Sequence, residues 1–294
     1  MAIDFGINDV IEELASQIRR RRCILLLGSA IHVGPPPASP FTYPPEQRPA
    51  LAGALAASLA ASLKGQQPSI DQLLADHGGD LQHVSMLYEL ARSRSSLIDA
   101  IADAVHGGKR PSRLLLALAE MDFPVVLTTN YDDLYERALR RVGKDPIVRV
   151  HSLDTGLHIT AEDVMSGRPV LVKLHGDISR PESIVITEED YFEYLVQMVA
   201  QRGSMLPLAL RRLMRDGSVL SLGYGHGDLN IRVMLRLLRE GAVQIPLYAV
   251  DHRPDVLRHE VRGLLRRELR YVIDNLWRFV AELYRQITGA ELVP

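Results

Sequence analysis

The chain has 294 residues, enough for one large or two small domains at about 150 residues each. Hydrophobic residues make up 47% and charged residues 24%, which excludes a disordered or collagenous chain. Thirty-four basic against 36 acidic side chains leave a formal charge of −2, so direct nucleic-acid binding is not expected, and one cysteine, Cys23, excludes a disulfide framework or a four-cysteine zinc site.

The first 22 residues hold no apolar stretch of the signal-peptide kind. Asn8–Arg22 predicts an amphipathic helix, with Asp9 and Glu12 at capping-box spacing and the basic run Arg19–Arg22 at its end, where the helix dipole favours cations. Cys23–Leu27 is short and wholly apolar, so it predicts a strand buried on both faces. It is also the most apolar run in the chain and falls far short of the roughly 20 residues a membrane helix needs. A cytoplasmic protein without membrane contact is the expectation.

Seven prolines follow between Pro35 and Pro49, a density that neither a helix nor a central strand tolerates. Residues 50–121 then read as almost wholly helical, about three helices punctuated by Gly65, Gly78-Gly79 and Gly107-Gly108. Beyond them strands alternate with helices. FPVVLTT, DPIVRV, RPVLVKL, SIVIT, SVLSLG, VQIPLYAV and LRYVI read as strands. A helix of EEDYFEYLVQMVAQ should be capped by Thr187, and NLWRFVAELYRQI should be the final helix. Further helices are expected over SMLPLALRRLMRDG, DLNIRVMLRLLREG and RPDVLRHEVRGLLRREL. Apolar strands alternating with helices imply an α/β, Rossmann-like, doubly wound and mainly parallel sheet.

Ligands in such a fold bind at the carboxyl ends of strands. Four predicted strand ends carry unusual residues: Gly28-Ser29-Ala30, Thr128-Thr129-Asn130-Tyr131-Asp132, His175-Gly176-Asp177 and Gly223-Tyr224-Gly225-His226-Gly227-Asp228. Each alone has an ordinary reading. Gly28-x-Ala30 fits a tight turn, Asn130 a helix cap, His175 a core histidine bonded to a carbonyl, and the Gly223 run a turn before a helix. Together they converge on one crevice.

In this order GSA, TTNYDDLYE, VLVKLHGDI, IVITEEDY and GYGHGDLN resemble the SIR2-like domain of bacterial antiphage NADases, a sirtuin fold without its zinc module, from about Arg22 to Asn275. The resemblance implies one domain over residues 1–294: a Rossmann-like core of 1–34 and 122–294, a cofactor loop of 35–49 and a helical insertion of 50–121. It implies NAD+ hydrolysis to nicotinamide and ADP-ribose, with Asn130 and His175 catalytic and no metal. Gly28, Ser29 and Ala30 would face the phosphates, although the usual third glycine is here an alanine. Gly223 and Tyr224 would line the adenosine side. It also implies a homo-oligomer or a separately encoded partner, such as a HerA-type ATPase or an Argonaute-like protein.

The residues suit that chemistry. Nicotinamide leaves neutral from an oxocarbenium-like transition state, so no general acid is required. An amide at Asn130 can hold water or a ribose hydroxyl without adding charge, and a histidine with an ordinary pKa can serve as general base. Asp132 could bond the carboxamide or steady the cation. Asp251 fits an acid on a ribose diol or a cap before Pro254. In the loop above, Phe41 and Tyr43 could close over the nicotinamide or anchor the loop on the helical segment. Two other readings use the same residues: a zinc-free protein deacylase or ADP-ribosyltransferase, and a non-catalytic subunit that binds NAD or ADP-ribose.

Overall fold

The computed structural model describes residues 7–77, 79–153, 157–200, 217–224, 246–251 and 269–294. The three helices expected over 204–217, 228–241 and 253–269 lie essentially outside these residues, as do Gly225–Asp228 and His252. Among the described residues no helix is long and apolar enough to cross a membrane.

Helix α1 spans Ile7–Arg19, so Asp9 sits inside its first turn rather than at its cap. The chain turns through Arg21, whose φ of +54° is unusual for a residue with a side chain, into strand β1, Cys23–Leu27. The remaining strands are β2 (Val125–Thr128), β3 (Ile147–Val150), β4 (Val170–Lys173), β5 (Ser218–Leu222), β6 (Leu247–Asp251) and β7 (Leu269–Ile273). They form one seven-stranded sheet in the order β3-β4-β2-β1-β5-β6-β7, every pair parallel. The direction of strand addition reverses at β1, which lies between β2 and β5. A doubly wound sheet opens a crevice at such a switch point.

Alternation along β1 explains why an unbroken apolar run is needed. Cys23, Leu25 and Leu27 face a core shared with α1, while Ile24 and Leu26 face a second core on the other side. Burying each such leucine contributes about 1.5–3 kcal/mol. The first core also takes α6 (Arg113–Glu120), α7 (Leu134–Arg141) and α10 (Leu276–Thr288). The second takes Tyr194 of α9, Glu188–Ala200. A five-residue helix, α8 (Ala161–Met165), opens with a Thr160–Asp163 capping box.

Four further helices precede α6: α2 (Ala52–Leu63), α3 (Pro68–His77), α4 (Leu81–Ala91) and α5 (Arg94–Val105). The segment 50–121 therefore holds five helices rather than about three. Between Gly79 and Gly107, where no glycine interrupts the sequence, the helix breaks at Ser93, whose side chain accepts from the Ser96 amide and caps α5. Helices α2–α5 share a third core, which closes on Ile178, Ile184 and Ile186.

Two expectations are corrected. SIVIT is not a strand: Ile184, Val185 and Ile186 are fully buried, but their amides bond outside any ladder. Val185 N donates to His175 O at 3.1 Å, and Ile186 N and Thr187 N donate to the Asp190 carboxylate at 2.9 and 3.0 Å. The expected Thr187 cap is present, its Oγ1 accepting from Asp190 N at 3.2 Å. In the proline-dense segment, Phe41 and Tyr43 do not line the cavity described below, but Tyr43 does anchor the loop on the helical segment, its O–H donating to Arg110 O at 3.0 Å. Both rings stack against Trp277 of α10, with ring centroids 5.6 and 6.5 Å away, and belong to the first core. A short 3-10 turn, Pro45–Gln47, follows them.

Candidate active site

A cavity of about 320 Å³ opens at the carboxyl ends of β1, β2, β4 and β5, at the low end of the range for small-molecule sites. Ser29, Asn130, Asp132, His175, Gly223 and Tyr224 all line it. Four separated sequence segments thus meet there because the parallel sheet brings their strand ends side by side.

The β1 and β5 ends are joined backbone to backbone. Gly28 N donates to Leu222 O at 2.9 Å and Ala30 N to Gly223 O at 3.0 Å. A Cβ on Gly28 would stand 2.5 Å from Gly223 O, so a glycine is required for that approach. Gly223 itself has a φ of +78°. The amides of Gly28 and Ala30 are therefore spent on the neighbouring loop, and of the three GSA residues Ser29 lines the cavity.

At the β2 end, Thr128 Oγ1 donates to Leu27 O at 2.9 Å and accepts from Asn130 N at 3.0 Å, which fixes the asparagine. Asn130 does not cap α7: Asp133 stands at the cap, and Asp132 Oδ1 accepts from Leu134 N at 3.0 Å. Asn130 Nδ2 lies 3.4 Å from Gly28 O and from His32 Nε2, and its Oδ1 is buried with no hydrogen-bond partner among the described residues. A buried acceptor left open costs stability unless a ligand or water completes it.

Asp132 Oδ2 pairs with His32 Nε2 at 3.1 Å, both side chains being buried. Burial alone would raise the Asp132 carboxyl, but His32, with Lys173 behind, outweighs it and holds the group below the usual carboxylate range. It is a carboxylate whose Oδ1 is already engaged.

His175 follows β4 and is 3% exposed. Its Nδ1 pairs with Tyr191 O–H at 3.2 Å, and its ring stands edge-on to Tyr191 and Tyr194 at 5.0 and 5.1 Å. The next residue, Gly176, has a φ of +90°, and a Cβ there would meet Ser183 O at 2.1 Å. An ordinary histidine pKa was the basis for expecting a titrating general base. Burial instead pushes His175 down to about 3, helped by His151 nearby. His151 is itself lowered to about 4 by burial and packs edge-on to Tyr194 at 4.8 Å. Burial thus favours the neutral imidazole of His175, the form that can accept a proton or a hydrogen bond.

Tyr224 O–H accepts from Thr129 Oγ1 at 3.2 Å and closes the β5 side. Asp251 ends β6, opposite Ile273 of β7, with β5 between it and β1; its side chain lies outside the described residues. His226 lies outside them as well. Among the described residues no cluster of three His, Cys, Asp or Glu side chains could hold a metal ion.

Two polar lining residues lie outside the strand-end runs singled out from sequence, His32 and Tyr191. The i, i+3 spacing of Tyr191 and Tyr194 at the start of a predicted helix was the available signal for one face toward His175. His32 had none, because its partner lies 100 residues away.

A family model described as SIR2-like domain matches residues 124–272, just over half of the chain. An NAD(+) hydrolase ThsA of Cytobacillus dafuensis is 28% identical over 122 residues, 42% of this chain and 23% of that protein. Another ThsA, of Acinetobacter baumannii, is 29% identical over 147 residues, 50% of this chain and 28% of that protein. Defense-associated sirtuin 2 of Bacillus subtilis is 29% identical over 121 residues, 39% of this chain and 10% of that protein. The alignments span less than a third of the length of each of these relatives. With that match across β2 to β7 and the cavity at its strand ends, the chain belongs to the SIR2-like domain family.

Proposed function

We propose that this chain hydrolyses NAD+ at the nicotinamide–ribose bond, giving nicotinamide, ADP-ribose and a proton, as an effector of antiphage defence. The observation that carries the reading is the meeting of Asn130 and His175 at one cavity, one with an open buried acceptor and the other held neutral. The relatives named NAD(+) hydrolase support the substrate, and the relative named as defence-associated supports the setting.

The leaving nicotinamide needs no proton, so the work falls on orienting the ribose and admitting water. Asn130 Oδ1 accepts from water or a ribose hydroxyl. With Nδ1–H donated to the Tyr191 oxygen, Nε2 of a neutral His175 accepts from a second hydroxyl and polarises that oxygen. The Asp132 carboxylate lies beside them and favours positive charge developing on the ribose. Apolar side chains from α2, α4 and α5 exclude bulk water from the same space.

Incubating purified protein with NAD+ and resolving the products tests this. Nicotinamide and ADP-ribose should appear in equal amounts without any acylated peptide. Cleavage that requires such a peptide would overturn the reading in favour of a deacylase.

A further inference from the structure

Lys173, the last residue of β4, is fully buried. The strand is otherwise apolar, and an ammonium in such a place is unfavourable unless every proton finds an acceptor. Here all three do. Nζ donates to Tyr131 O at 3.1 Å, to Asp132 O at 2.8 Å and to the Asp177 carboxylate. Glu136 of α7 stands 3.7 Å away.

These acceptors belong to the two segments that carry the candidate chemistry. Tyr131 and Asp132 directly follow Asn130, and Asp177 is two residues beyond His175. Other bonds run alongside: Leu174 N donates to Thr128 O at 2.8 Å and Ile178 N to Tyr131 O at 3.0 Å. Asp177 is locked in turn, its Oδ1 accepting from Ser179 N at 2.7 Å and Ser179 Oγ at 2.6 Å.

We propose that Lys173 is a positioning residue: its buried ammonium ties the backbone of Tyr131 and Asp132 to the His175–Ile178 turn and so sets Asn130, Asp132 and His175 relative to one another. The inference rests on the reading that these residues act on NAD+. A leucine or methionine would hold the sheet together as well as a lysine does, since well-packed apolar residues commonly replace buried ion pairs without loss of stability. What an apolar side chain cannot supply is a donor to two successive carbonyls on a facing loop.

The test is the double variant Lys173→Met with Asp177→Asn, which removes both charges and leaves Glu136 its partner Arg140. It should melt cooperatively, with kcat for NAD+ down about 10²-fold and KM within about threefold, because misplacement near an ångström is enough for such a loss. Amide exchange should quicken in residues 130–132 and 175–178 and stay unchanged in β1. A folded double variant with wild-type kcat and wild-type exchange overturns the proposal. Should it fail to fold, Asp177→Asn and Asp177→Leu replace it. The amide still accepts from Lys173 and the leucine does not, so kcat should differ at least tenfold, and equal values overturn the proposal. If the wild-type protein cleaves no NAD+, the hydrolase reading falls, while the exchange comparison still decides the role of Lys173.

Discussion

One wall of the cavity comes from strand ends and brings Asn130, Asp132 and His175; the other comes from α2, α4 and α5 and brings Ala52, Leu55, Leu81 and Val105. The strand-end wall is expensive to build. It buries two carboxylates, Asp132 and Asp177, with Lys173, His32 and His175, and leaves the Asn130 oxygen open among the described residues. The helical wall offers apolar side chains whose own core, shared with Ile178, Ile184 and Ile186, is independent of the sheet. Polar groups so placed are retained for what they do to a ligand, whereas an apolar wall contributes shape and dryness. The two walls should therefore fail differently.

The largest effect is expected on the strand-end wall. His175→Ala and Asn130→Ala should each lower kcat by about 10²–10⁴-fold, the span ordinarily lost with a positioned proton-transfer or polarising group. Circular dichroism should still show the folded chain. Wild-type turnover in either variant would move the chemistry away from this wall.

Acid sensitivity should also arise on that wall. His175 and His151 are held well below the ordinary histidine value of 6.5 in the folded chain, at about 3 and about 4. Between those values and 6.5 the unfolded chain binds more protons than the folded one, so stability falls as pH falls through that window and is fully recovered above it. Each histidine contributes a slope of at most about 1.4 kcal/mol per pH unit. Melting temperature should thus drop by several degrees from pH 7 to pH 5. His151→Phe, which keeps an edge-on ring against Tyr194, should roughly halve that dependence. A slope unchanged by the substitution would mean that the acid sensitivity lies elsewhere.

What could be read ahead of the structure divides along similar lines. The five apolar residues of β1, the parallel sheet and the meeting of four strand ends follow from local pattern plus one rule about where doubly wound sheets bind ligands. The stretch Ser183–Thr187 misleads because an apolar β-branched run looks the same in a strand and in a buried connector. The two differ in where the amides bond, and here they reach Asp190 and His175. His32 opposite Asp132, and Lys173 on the carbonyls of Tyr131 and Asp132, are pairings across 100 and across 42 and 41 residues that no local period encodes. The depressed pKa of His175 is likewise a product of packing, since burial causes most of it. Phe41 and Tyr43 were legible as anchors but not as anchors on Trp277, more than 230 residues away.

The smallest effect is expected on the helical wall. Leu81 opens α4 just after its Asp80 cap, is half-buried and packs only at the edge of the third core. Leu81→Ala should therefore spare the fold while removing apolar surface that a bound ligand would cover. At about 0.8 kcal/mol per buried methylene, the loss of part of that side chain raises KM for NAD+ by roughly five- to tenfold. Contacts made equally in the ground and transition states leave kcat alone, so it should stay within about twofold of wild type. A fall in kcat matching the rise in KM would show the helical wall acting on the transition state, and the division of labour between the walls would not hold. If neither constant moves, the substrate does not reach α4, and the apolar wall shapes some other part of the cavity than the one NAD+ occupies.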